Sequence, residues 1–314
     1  MPHVTFIHGI ANKPPKDKLL WLWEQSLIDG GLDLSSEGVT TSLVYWADVM
    51  YAAPNALEDG FESVNEGLGT EEADEDQAWI DGLSDQEKAF VARMQDTFGV
   101  DAKSPEGDDF TPEAPAEDVD DLRFEAIPLP WFIKRRVMKC VLRDVHHYMF
   151  NATHAPRPGE TYQVQDYIRK LFVDQLVEDS AANDGGPHVV VAHSMGTVIS
   201  YDCLKNVPDC PGISAYMTLG CPLGISEVYD NFHPAYDKDT AFPDPGKLAG
   251  NWVNVYDRLD PVAFDSKIAN DYQKNGRKVI IDQKVRNSGA WRHSSSKYFK
   301  QQALCNHLRT LLEL

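Results

Sequence analysis

Apolar residues along this chain fall into two rhythms. Short, mostly apolar runs at Val4 to His8, Val39 to Trp46, Val189 to Ala192, Ile213 to Leu219, Trp252 to Tyr256 and Val279 to Ile281 read as strands. Between them, apolar residues recur every three or four positions, the spacing that puts them on one helical face. Lys16 to Ile28 carries Leu19, Trp23 and Leu27 and stops at Gly30-Gly31. Ile133, Val137, Val141 and Val145 form a second stripe, flanked by Lys134, Arg135, Arg136, Lys139 and Arg143. Tyr162 to Val177 and Met195 to Lys205 predict further helices. A last one starts near Ser295 or Ser296, which suit a cap, and presents Leu304, Leu308 and Leu311 inward.

Strands alternating with helices predict an α/β fold whose mostly parallel sheet is covered on both faces. No internal repeat is visible. With 314 residues and 42% hydrophobic content, one large domain carrying an insertion is expected. Charge locates the insertion. From Glu58 to Glu125 there are 23 acidic against 4 basic residues, a balance of 4 − 23 = −19 out of the chain's −20. That stretch also contains Pro105, Pro112 and Pro115, so short helices and loops are expected there, partly disordered. Its Asp101 to Glu113 run does not make a calcium loop, because Lys103, Pro105 and Pro112 stand where oxygen donors are needed and Glu106 replaces the turn glycine.

The net charge opposes binding to nucleic acid or anionic membranes through a diffuse field. No apolar stretch approaches the roughly 18 residues of a membrane span, and with Met1 to Ile10 running straight into an apolar segment no leader is expected. A soluble, cytoplasmic protein is expected. Five cysteines (Cys140, Cys203, Cys210, Cys221, Cys305) without C-x-x-C spacing suit free thiols in a reducing compartment, with neither a disulfide frame nor a zinc site. The sequon at Asn151 is then idle.

Chemistry concentrates in Val189-Val190-Val191-Ala192-His193-Ser194-Met195-Gly196-Thr197-Val198. An apolar strand ends, one serine sits between small residues, and a helix begins at once. A serine hydroxyl needs a base to become a nucleophile, and a sharp strand-to-helix turn exposes its Oγ while aiming the next backbone N–H at a developing oxyanion. Such a turn requires small residues two positions to either side, here Ala192 and Gly196. The plainer alternative is a strand–helix junction with an N-capping serine.

On this segment the chain resembles the α/β-hydrolase superfamily, on its lipase and esterase side. Ala192 replaces the first glycine of the usual Gly-x-Ser-x-Gly. The resemblance covers the chain apart from about residues 47–160 and implies an order of parts: nucleophile, then an acid after a later strand, then a histidine after the last strand. Ser194 would be the nucleophile. Downstream, Asp257-Arg258-Leu259-Asp260-Pro261-Val262 leaves the strand ending at Tyr256, and Asp260 is favoured as the acid, with Asp257 the rival; both would otherwise be ordinary turn residues. Trp291-Arg292-His293-Ser294 precedes the last helix and places His293 where the base belongs. Phe6-Ile7-His8-Gly9-Ile10 is similar to the family's His-Gly, which implies an oxyanion hole made of the Ile10 and Met195 N–H groups.

The resemblance therefore implies a catalytic core of residues 1–46 and 160–314 and an acidic insertion, 47–159, as a cap or lid. The expected activity is hydrolysis of carboxylic esters or thioesters through an acyl-enzyme on Ser194, with no metal or organic cofactor. An amidase or peptidase would use the same triad. A catalytically inactive scaffold is the contrasting reading, disfavoured by the complete order of serine, acid and histidine. Oligomeric state is left open.

Overall fold

The computed structural model describes residues 1–55, 78–97, 111, 131–232, 237–263, 265–289 and 291–314; of residues 78, 131–138 and 140 it describes the backbone alone. Much of the acidic stretch, including the Asp101 to Glu113 run, lies outside the described residues.

Six strands form one sheet: β1 (His3–Ile7), β2 (Thr40–Val44), β5 (His188–His193), β6 (Ala215–Leu219), β7 (Trp252–Asp257) and β8 (Ile281–Val285), in the order β2-β1-β5-β6-β7-β8. Every pairing is parallel. The chain thus has the α/β architecture of an α/β-hydrolase-like fold. The central strands β1, β5, β6 and β7 are buried along their whole length, as a sheet covered on both faces requires.

Strand alternation divides the core in two. Val189 and Val191 of β5 face one cluster, with Phe6, Trp23 of α1 (Lys16–Asp29), Phe299 of α9 (Ser295–Phe299) and Leu304 of α10 (Gln302–Leu311). Val190 and Ala192 face the other, beneath α5 (Trp131–Met149), α6 (Val164–Ala182) and α7 (Met195–Asn206). From β1 the chain crosses to β2 on one side, and from β5 it crosses through α7 to β6 on the other. The loops after β1 and β5 therefore diverge, and a crevice opens between them at the carboxyl ends of the strands.

The structure revises the expected elements at several points. The last strand runs Ile281–Val285, later than Val279 to Ile281, because the alternation of this edge strand is weak. The expected single last helix is two, α9 and α10, broken at Lys300 and Gln301, and Ser294 is the cap, accepting the Lys297 N–H. The break lets Phe299 and Leu304 face the same core. The third helix begins at Val164, since residues before it form a two-stranded hairpin, β3 (Thr153–Arg157) with β4 (Glu160–Gln163). Among the described residues, α2 (Ala47–Met50), α3 (Ala78–Asp81) and α4 (Asp85–Thr97) precede α5. A short α8 (Ser226–Phe232) follows β6.

Candidate active site

Ser194 stands between β5 and α7 with φ 55° and ψ −128°, a strained conformation for a side-chain-bearing residue. The turn is possible because its neighbours lack bulk. A Cβ at Gly196 would lie 2.7 Å from the carbonyl oxygens of Ile7 and His8, and one at Gly9 would overlap the Ser194 side chain. Strands β1 and β5 thus bring Gly9 and Ser194 into direct apposition across the crevice.

His293, ninety-nine positions along the chain, places Nε2 2.8 Å from Ser194 Oγ. Its Nδ1 lies 2.8 and 2.9 Å from the two oxygens of Asp260. With Asp260 ionised, Nδ1–H donates to the carboxylate and Nε2 is left to accept the serine proton. All three residues are buried. Burial alone would raise the Asp260 carboxyl, but the attraction of His293 and hydrogen bonds from His293, the Val262 N–H and the Tyr298 hydroxyl hold it below its ordinary value.

Asp257 does not reach His293. Its carboxylate accepts the N–H of Leu259 at 2.9 Å and of Asn287 at 2.6 Å, with Arg292 at 3.3 Å, so it shapes the loop. Burial outweighs these contacts and pushes its pKa up.

The two residues expected to supply oxyanion donors line the same apolar pocket as Ser194. Its wall comprises Ile10, Met195, Pro222, Ile225, Val228 and Val262 from the core, with Met94 of α4 and Val141 and Val145 of α5. Among the described residues no acceptor takes up the N–H of Ile10 or Met195. The pocket holds space for about one water. Trp131, Phe132, Ile133 and Val137, also expected to face a pocket, have side chains outside the described residues.

Several supporting residues carry no sequence signal. His193 donates from Nε2 to the His293 carbonyl at 2.9 Å, and the two rings lie 4.7 Å apart. Burial first, and then His293, keeps His193 neutral far below the ordinary histidine range. Gly220, at φ 52°, leaves no room for a Cβ, which would sit 2.8 Å from Asp260 Oδ2. Buried His8 accepts the Trp46 N–H at Nε2 (2.9 Å), while Trp46 Nε1–H donates to the His8 carbonyl (2.9 Å), tying the exit of β1 to the chain after β2. The next loop includes Ala11 at φ 66°, a left-handed conformation that costs an L-residue roughly 1–2 kcal/mol.

Among the described residues one group has metal-ligand composition: His3, Asp179 and His188, with ligand atoms within 4.8 Å of one another. The Thr5 hydroxyl sits between them, 2.5 Å from Asp179 Oδ2 and 2.8 Å from His188 Nε2, and Ser42 reaches the same oxygen at 2.6 Å. The cluster is thereby joined by its own hydrogen bonds. It lies at the opposite ends of β1 and β5 from Ser194.

No helix among the described residues is long and apolar enough to cross a membrane. A search of curated proteins finds no match. One family model, described as lecithin:cholesterol acyltransferase, matches residues 149–249, about a third of the chain. That segment includes Ser194 and its turn and ends before Asp260 and His293. Together with the mostly parallel sheet, the match makes this chain similar, over that segment, to an α/β-hydrolase-like family of lipases and esterases.

Proposed function

We propose that the protein is a serine hydrolase that cleaves carboxylic esters carrying an apolar acyl group. The observation that carries this reading is the continuous contact from Ser194 Oγ to His293 Nε2 and from His293 Nδ1 to Asp260. His293 would take the Ser194 proton as Oγ attacks the ester carbonyl. The resulting oxyanion would rest on the N–H groups of Ile10 and Met195. The proton would then pass from His293 to the departing alkoxide, leaving an acyl group on Ser194, and water activated by His293 would release the acid. Asp260 would hold the imidazole tautomer throughout.

The apolar wall supports an acyl group over a charged one, and the similarity to a lipase and esterase family points the same way. Met94, Val141 and Val145 all belong to the 47–159 insertion, which supports its role as a cap over the acyl group. The four described cysteines are free and buried, in keeping with a reducing compartment. A second reading follows from the matched family's description: the acyl group would pass to an alcohol instead of water.

A fluorophosphonate probe should label the wild-type protein and leave Ser194→Ala unlabelled but folded, because only an activated serine attacks such phosphorus centres at neutral pH. Nitrophenyl esters of graded chain length, assayed with and without an added alcohol, then separate hydrolysis from transfer. Labelling that survives in Ser194→Ala would remove the nucleophile and with it the proposed function.

A further inference from the structure

The peptide linking Ile10 to Ala11 is held at both ends by charged groups. The buried Lys13 ammonium donates from Nζ to the Ile10 carbonyl. On the other side, the Ala11 N–H donates to Asp144 Oδ2 at 3.1 Å. Asp144 belongs to α5, is 2% exposed, and is itself held in place: Tyr51 donates its hydroxyl to the same oxygen at 3.0 Å, and Arg143 reaches Oδ1 at 3.2 Å with both Nε and Nη2. Farther along α5, Tyr148 donates to Asp202 of α7 at 2.6 Å, which fixes the helix against the one that begins at Met195.

From this geometry we infer that Asp144 is a positioning residue for the oxyanion donor at Ile10. The inference rests on the reading that the Ile10 and Met195 N–H groups receive the oxyanion. A peptide plane is rigid, so with the Ile10–Ala11 plane held, only φ and ψ of Ile10 lie between it and the preceding N–H, and the directions open to that N–H are restricted. Ala11 sits at φ 66°, where a side-chain-bearing residue does not rest unless its surroundings hold it. The Asp144 carboxylate and the Lys13 ammonium supply that hold, pulling the two ends of one peptide dipole in opposite directions. The same helix brings Val141 and Val145 to the pocket wall. One rigid element therefore sets both the surface facing the acyl group and the orientation of a donor to its carbonyl.

The test uses the full chain and four measurements: fluorophosphonate labelling, kcat and KM on nitrophenyl esters, inhibition by a trifluoromethyl ketone whose adduct on serine is an oxyanion, and thermal unfolding. Asp144→Ala and the isosteric Asp144→Asn are compared with Asp179→Asn, a buried carboxylate at the far end of the strands that reports loss of stability alone. Asp144→Ala is expected to lower kcat, per folded enzyme, between about 10-fold and the 10²- to 10³-fold that losing one oxyanion donor costs. Affinity for the ketone should fall by a similar factor, with KM nearly unchanged. If the alanine variant does not fold, Asp144→Asn carries the test, because its amide cannot accept from Ala11 and from Arg143 together without turning its NH2 toward one of those donors. A folded Asp144 variant with wild-type kcat and ketone affinity overturns the inference, as does a loss confined to KM. Wild-type protein that resists the fluorophosphonate fails at an earlier step and overturns the proposed function itself.

Discussion

Tyr298 donates its hydroxyl to Asp260 Oδ2 at 2.8 Å, and the Tyr298 hydroxyl oxygen in turn accepts the Asp257 N–H at 3.0 Å. One buried phenol on α9 thus joins the start of the acid loop to the carboxylate at its end. Removing it should loosen Asp260 without removing its charge. Tyr298→Phe is expected to cost about 1.5–3 kcal/mol of stability, the range for a hydrogen bond to a charged group. It should also lower kcat several-fold while leaving Ser194 reactive toward a fluorophosphonate. Urea denaturation with ester kinetics checks both, and unchanged values would mean that Val262 and His293 suffice to hold the carboxylate.

The two acids of the loop should separate by substitution. Asp260→Asn is expected to lower kcat by a factor on the order of 10³ to 10⁴, since an amide neither fixes the imidazole tautomer nor stabilises its cation. Asp257→Asn should act mainly on stability, because that carboxylate serves Leu259, Asn287 and Arg292. The reverse ranking in kcat would exchange their roles.

Met94 offers a test of the proposed cap. It reaches the pocket from α4, within the insertion, and is fully buried there. Met94→Ala should raise kcat/KM for longer acyl esters relative to acetate, by making room where space for about one water now exists. A uniform change across chain lengths would show that Met94 packs against the pocket without limiting the acyl group.

Acid should destabilise the fold through its buried histidines, partly offset by Asp271, whose carboxyl burial raises to about 6. Burial, with neighbouring Lys13, lowers His8 to about 3; burial, with His146, lowers His147 to about 4; burial, with His3, lowers His188 to about 4. Between those values and the unfolded value of about 6.5, the unfolded chain binds more protons, so stability rises with pH across that window and levels off above it. Asp179, held down to about 2 by hydrogen bonds from His3, Ser42 and Thr5 that outweigh its burial, contributes stability above its unfolded pKa and loses it as pH falls through about 2. Urea midpoints measured from pH 4 to 7.5 should climb to a plateau near pH 6.5 to 7. A flat profile would mean that these histidines are not buried as neutral groups.

Local signals made the fold class legible, because each rests on neighbours in sequence. An apolar run such as Val189 to Ala192 has few places to lie other than inside a parallel sheet, and Ala192, Ser194 and Gly196 mark a turn that tolerates little else. Resemblance then ordered the remaining parts and pointed to Asp260 and His293. What the chain could not announce is whatever depends on residues meeting from distant elements. The choice of Asp260 as the partner of His293 turns on where one loop folds back, and Asp257, three positions earlier, looks the same in sequence. Tyr298 meets Asp260 from 38 positions along the chain, and Asp144 meets Ala11 from 133. Edge strand β8, half exposed, lacks the apolar continuity that marks the central strands, so its bounds are not legible in sequence. Composition and periodicity determine which face of an element is buried; which polar side chains then meet across the gap is decided by packing, since a hydrogen bond over a hundred residues of chain leaves no local trace.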